Sequence, residues 1–166
     1  FGTTTTALKR GQAQPDDVIE VTSWMKRLNK VASELAVEFG LLCGTDVTGF
    51  SLLGHAWEIA QASGVGLHLV FEKIPFVSGA REYAVEWIFP GGAADNRLFY
   101  SPHVRFAPEI DEPSMMLLFD PQTSGGLLLA VPPEKVQTML ARAKEVGQPL
   151  WVIGEVIEGE GIEVSP

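Results

Sequence analysis

Apolar residues recur at Val18, Val21, Met25, Leu28, Ala32, Leu35 and Phe39, in steps that alternate between three and four. That spacing predicts one amphipathic helix with a core-facing stripe. Asp17 and Glu20 read as a capping box at its start and Gly40 as its stop. A second helix is predicted from about Gly49 to Ser63, with Phe50, Leu53, Trp57 and Ala60 on one face and Gly64 behind it. "VGLHLVF", Val65 to Phe71, reads as a strand. His68 within it is expected to be a packed strand residue, because no His or Cys partner lies at metal-site spacing.

The remaining elements are shorter. Thr3 to Leu8 is β-branched and predicts an edge or linker strand. Ser78 to Trp87 predicts a short helix, and Phe89 to Asn96 a Pro/Gly turn leading into another. Met115 to Asp120 and Gly126 to Pro132 read as two buried strands joined by the turn "PQTSG". Pro132-Pro133 opens a helix with Val136, Met139, Leu140 and Ala143 on one face, closed by Gly147. "LWVIGEVIE" predicts a strong strand and "GIEVS" a weak terminal one. Helices and strands mix without a regular βαβ repeat, so the expected class is α+β, a layered α/β sandwich with a mixed sheet covered by helices.

With 166 residues the chain is long enough for one domain with a real core. Twelve Lys and Arg stand against 21 Asp and Glu, a net charge of −9, which argues against a nucleic-acid partner. A small anion remains compatible if metal ions bring it in. The single cysteine, Cys43, excludes a disulfide framework and a cysteine metal cluster, and the expected compartment is reducing and cytoplasmic. No apolar run is long enough for a membrane helix, so no membrane partner is expected. "FGTTTTALKRG" has no signal-peptide architecture and no initiator Met, which predicts a piece of a longer protein.

Three Gly-rich segments lie between apolar elements: "GTDVTG" (Gly44 to Gly49), "PGGAADN" (Pro90 to Asn96) and "DPQTSGG" (Asp120 to Gly126). Each alone is an ordinary tight turn. Together they predict a phosphate or nucleotide site assisted by Mg²⁺, since Gly admits close backbone approach and Thr, Ser and Gln add uncharged donors. No Walker loop or dinucleotide glycine pattern is present. Asp46 stands just ahead of the second helix, where it is either an N-cap or the ligand of a cation that in turn holds phosphate. Cys43 follows "FGLL" and reads as a buried structural residue, and His55 as a satisfied helix residue.

"TDVTGFSLLGH" (Thr45 to His55), "PGGAADN" and "DPQTSGGLLLAV" (Asp120 to Val131) resemble the C-terminal half of selenophosphate synthetase, and "TTALKRG" (Thr5 to Gly11) resembles the segment entering that half. That family belongs to a wider ATP-binding group with aminoimidazole ribonucleotide synthetase and thiamine-monophosphate kinase. The resemblance implies a linker strand over residues 1–12 from a missing N-terminal domain, and a C-terminal domain over 13–166. It implies the reaction of ATP, selenide and water to selenophosphate, AMP and phosphate, with Mg²⁺, and a homodimer of the full-length enzyme. Asp46 would be one of several metal-binding carboxylates. Thr48, Gly49, Gly91, Gly92, Asn96, Thr123, Ser124 and Gly125 would contribute to the nucleotide site.

The chain departs from the pattern in places. Ser51 stands where the family usually has Gly, Ala93 where Thr often follows the Gly pair, and the Gly-Thr-Gly near the start appears as Gly2-Thr3 followed by more Thr. The catalytic Cys or selenocysteine and its Lys have no counterpart here, and Cys43 does not match them, so the chain alone is expected to be inactive. Two alternatives stay open: another ATP-dependent enzyme of the same group, or a non-catalytic binding or assembly module.

Overall fold

The computed structural model describes residues 1–166. Its elements in order are α1 (Gly2–Lys9), α2 (Pro15–Lys26), α3 (Lys30–Glu38), β1 (Gly44–Asp46), α4 (Ser51–Ser63), β2 (Gly66–Val70), α5 (Ala80–Val85), α6 (Gly91–Tyr100), β3 (Val104–Phe106), α7 (Glu112–Leu118), β4 (Leu127–Leu129), α8 (Pro133–Glu145), β5 (Gly154–Ile157) and β6 (Gly161–Ser165). Four strands form a mixed sheet in the order β3-β6-β2-β5, with β6 parallel to both of its neighbours and β5 antiparallel to β2. A separate antiparallel ribbon pairs β1 with β4. The layered α+β architecture is the one the residue pattern predicts.

Helix α4 supplies the centre of the core. Leu53, Ala56 and Ala60 on its inner face meet Leu67 and Leu69 of β2 and Ile162 and Val164 of β6. Alternation sets the sheet's inner face, because Glu163 and Ser165 fall on the other side of β6. α4 ends at Gly64, whose left-handed backbone (φ 65°) closes the last turn. A smaller cluster of Leu35, Met139 and Ala143 joins α3 to α8.

Several predicted elements fold differently. The long stripe from Val18 to Phe39 is two helices, because the chain turns extended at Arg27 and restarts at Asn29, leaving Leu28 exposed. Asn is a poor interior helix residue and a good start, which the periodicity masked. Asp17 and Glu20 are not a capping box. Gln14 precedes Pro15 at the helix start, Asp17 accepts from the Tyr83 hydroxyl, and Glu20 accepts from Ser78 N. Gly40 (φ 61°) does stop α3.

Residues Thr3 to Leu8 lie in a helix, not a strand. Thr3 Oγ1 donates to buried Asp120 and Ala7 packs with Tyr83 and Ile88, so tertiary contacts override β propensity. Segment 1–12 is thus packed onto the domain. The apolar run at Met115 is also helical, because the Asp111 carboxylate caps Ser114 N at 2.9 Å and Pro113 fits the first turn. Short apolar runs do not by themselves separate strand from buried helix.

In "LWVIGEVIE" only Gly154–Ile157 is strand. "GIEVS", read as weak, becomes β6, one of the two inner strands of the sheet. β1 and β3 were not expected as strands at all. Cys43 is half-buried rather than buried. His68 is a strand residue as expected, bonded to the Ser165 hydroxyl at 2.9 Å.

Candidate functional site

The three Gly-rich segments, far apart in sequence, meet at one place. The first and third are stitched by backbone bonds: Gly125 N donates to Val47 O at 2.8 Å, Val47 N to Gly126 O at 2.9 Å and Gln122 N to Thr48 O at 3.0 Å. The second joins through Asn96, whose side-chain amide donates to Gly49 O at 2.9 Å and to Phe119 O at 3.1 Å. Gly92 lies against Pro121, so the start of α6 abuts the 120–126 loop.

Gly125 has to be glycine for this junction to close. A Cβ there would stand 2.8 Å from Val47 O and about as close to the Gln122 side chain. Gly91 and Gly92 have a different role. They open α6, where first-turn N–H groups have no intrahelical acceptor, and the space around Gly91 is free. Thr123 is exposed, and neither its hydroxyl nor that of Ser124 is tied to another side chain. Asn96, by contrast, is buried with its amide committed internally, so it holds the loops together.

Asp46 is not an N-cap. It ends strand β1 opposite Leu127, whereas α4 begins five residues later at Ser51 with no side-chain cap. Its exposed carboxylate takes part in no hydrogen bond or ion pair within the chain. Between it and the helix, Val47 is buried and Thr48 half-buried.

Sequence reasoning missed the support beneath these loops. Asp120 is buried and accepts from Thr3 Oγ1 at 2.9 Å and from the Phe1 nitrogen at 3.1 Å, which ties α1 to the third loop. Gly2 N also donates to Pro121 O. His55 is buried, as a satisfied helix residue should be, with Thr48 Oγ1 at 3.0 Å on one ring nitrogen and Glu58 at 2.9 Å on the other. Burial, with the Glu58 charge adding to it, pushes the nearby Tyr100 phenol above its ordinary pKa. The only available signal was the Thr-x₆-His-x₂-Glu spacing across a helix start, which periodicity does not reveal.

A cavity of about 610 Å³ runs from Gln122, Ser124 and Gly125 towards Trp24, Leu140 and Trp151. Its mostly apolar wall does not suit a polyphosphate. No three His, Cys, Asp or Glu side chains gather anywhere as a metal site. Asp46 is therefore a lone carboxylate, and the rest of any cation's shell would have to come from water, substrate oxygens or other groups. No helix is long and apolar enough to cross a membrane.

Residues 1–165 match the family described as AIR synthase related protein, C-terminal domain. The chain belongs to that family. It is 40% identical over 161 residues to selenide, water dikinase of Carboxydothermus hydrogenoformans, covering 97% of this chain and 47% of that protein. With selenide, water dikinase of Bordetella bronchiseptica it shares 43% identity over 157 residues, 95% of this chain and 45% of the relative. The chain thus spans about half the length of the curated relatives it matches.

Solved structures share the fold. AaThiL complexed with AMPPCP and TMP superposes with a TM-score of 0.61 at 18% identity, over 98% of this chain and 44% of that one. Thiamine-monophosphate kinase from Stenotrophomonas maltophilia gives 0.58 at 16%, over 98% and 46%. At such identities these matches establish the shared fold. Within this fold Ser51 has a left-handed backbone (φ 70°), a conformation that glycine adopts without strain.

Proposed function

We propose that the chain is the C-terminal half of an ATP-dependent selenophosphate synthetase that converts ATP, selenide and water into selenophosphate, AMP and phosphate. In this reading it contributes Asp46 to an ATP–Mg²⁺ site completed by an N-terminal domain of the same protein. The observation that carries the proposal is an exposed, unpartnered carboxylate at the edge of three Gly-rich segments that tertiary structure has brought together. The curated relatives near 40% identity favour this reaction over that of the thiamine-monophosphate kinases, which share only the fold.

The donor set fits Mg²⁺ as a partial site. Mg²⁺ is commonly held by one or two carboxylates with waters and substrate phosphates, and Asp46 is one free carboxylate. When bound, the ion would neutralise phosphate oxygen charge during phosphoryl transfer. Asp46 would hold it at the end of β1, a position fixed by pairing with Leu127. The free amides of Gly91 and Gly92, with the Thr123 and Ser124 hydroxyls, would supply uncharged donors to phosphate oxygens. Asn96 and Gly125 would keep those donors at fixed separation.

Asp46→Asn in the full-length enzyme tests this. Because Asp46 caps nothing and pairs with nothing, thermal stability without ligand should stay within about 0.5 kcal/mol. Turnover should fall roughly a hundredfold or more, the scale of losing about 3 kcal/mol of charge stabilisation. Near wild-type turnover would remove Asp46 from the site. The 166-residue chain alone should hydrolyse no ATP, with or without selenide, and hydrolysis by it would refute the composite site.

A further inference from the structure

Glu58, His55 and Thr48 form a chain of carboxylate, imidazole and hydroxyl. Oε2 of Glu58 lies 2.9 Å from Nδ1 of His55, and Nε2 of His55 lies 3.0 Å from Oγ1 of Thr48. His55 is buried, so its ring is held in place, while Glu58 is about half exposed. The chain ends on a loop residue two positions from Asp46. That residue is itself anchored, because the Thr48 carbonyl accepts from Gln122 N.

Hydrogen positions follow from what each group can do. An ionised carboxylate only accepts, so His55 Nδ1 must carry the proton. In the neutral ring Nε2 is then a bare acceptor, and the Thr48 O–H is the group facing it. The single hydroxyl proton of Thr48 is therefore committed inward, and its remaining lone pairs face away from the ring. A lone pair suits a metal ion or a metal-bound water. It repels a phosphate oxygen, which needs a donor.

We propose that Glu58 and His55 are positioning residues that make Thr48 an oxygen acceptor on the cation side of the site, beside Asp46, and not a donor to phosphate. This rests on the metal role proposed for Asp46. It divides the loops by polarity: the 46–48 segment serves the cation, while the amides at Gly91 and Gly92 and the 123–124 hydroxyls serve the anion. It also gives His55 a task beyond filling its place in α4.

The test uses the ¹⁵N-labelled 166-residue chain near neutral pH. Long-range ring correlations should show His55 protonated on Nδ1 with a pyridine-type Nε2. A ring protonated on Nε2, alone or with Nδ1, overturns the proposal. Glu58→Lys should reverse the tautomer, since an ammonium only donates and Nδ1 must then accept.

Mn²⁺ should broaden the Asp46, Val47 and Thr48 signals. Thr48→Val should weaken that binding roughly tenfold, as loss of an ordered neighbouring oxygen does, while Thr48→Ser preserves it. Equal Mn²⁺ affinity in Thr48→Val and wild type overturns the assignment of Thr48 and leaves Asp46 standing. Broadening absent from all three residues at millimolar Mn²⁺, in this chain and in the full-length protein alike, overturns the metal site itself, and with it this inference. Movement of the Thr48 methyl signal on adding inorganic pyrophosphate without metal would return Thr48 to the phosphate side.

Discussion

The side-chain amide of Asn96 reaches the carbonyl of Gly49 at 2.9 Å, and this bond ties the middle of α6 to the loop that follows Asp46. The same nitrogen serves Phe119 O at 3.1 Å. Asn96→Asp replaces the donor with an acceptor facing two carbonyls in a buried place. It should destabilise the chain by about 2–3 kcal/mol, and by more than Asn96→Ala, which adds no repulsion. Urea denaturation checks both values. An Asp variant as stable as wild type would show that the staple is not formed.

Ser51 offers the opposite sign. It is fully buried with φ 70°, in a region costly for any residue with a Cβ. Ser51→Gly should raise stability by about 0.5–1 kcal/mol, even after losing the long 3.3 Å bond from Gly54 N to the Ser51 hydroxyl. Ser51→Ala keeps the strain, loses the bond and should be less stable than wild type. Thermal melts of the three proteins order them.

Gly125 and Gly126 separate close contact from backbone strain. Gly125→Ala places a methyl 2.8 Å from Val47 O, so the third loop must lift away from the end of β1. A loss of about 1–3 kcal/mol follows from such overpacking. Gly126→Ala meets no atom within 4 Å but keeps φ 86°, and should lose about 1–2 kcal/mol from strain alone. Only the first should also move the Thr48 and Gly49 amide shifts strongly in an NMR spectrum.

Asp111 makes a pH-dependent contribution. Hydrogen bonding from Ser114, side chain and backbone, holds its carboxyl below the ordinary Asp value. A depressed folded pKa means stability that is present above the unfolded value and lost as pH falls through the folded one. Asp111→Ala should therefore lose about 1 kcal/mol at neutral pH, as N-cap removal does. The gap from wild type should narrow once the pH drops below about 3.9, the ordinary Asp value. A gap that stays constant into acid would mean the charge is not what caps α7.

Much of this protein is legible in one dimension. Helices α4 and α8 announce themselves because periodic apolar faces and Gly or Pro boundaries are local signals, and β2 because its apolar run is bounded by Gly64 and the turn beyond Phe71. The three Gly-rich segments could also be read as candidates, since small residues between apolar elements mark themselves. Their meeting could not be read. Asn96 bonded to Gly49, and Gly125 packed on Val47, are contacts between residues 47 and 78 positions apart, and composition carries no distance. Tertiary context likewise decided for helix at Thr3 to Leu8, where buried Asp120 accepts from the Thr3 hydroxyl. At Met115 to Asp120 the deciding bond is instead the local cap of Asp111 on Ser114 N, which the apolar run masked. Tertiary context also made β6 an inner strand, because only folding shows that β2 and β3 flank it. The identity and reach of Asp46 belong to the sequence, while its freedom from any protein partner, and the orientation of Thr48 beside it through His55, exist only in the folded chain, because hydrogen bonds are directional and need all three groups in place at once.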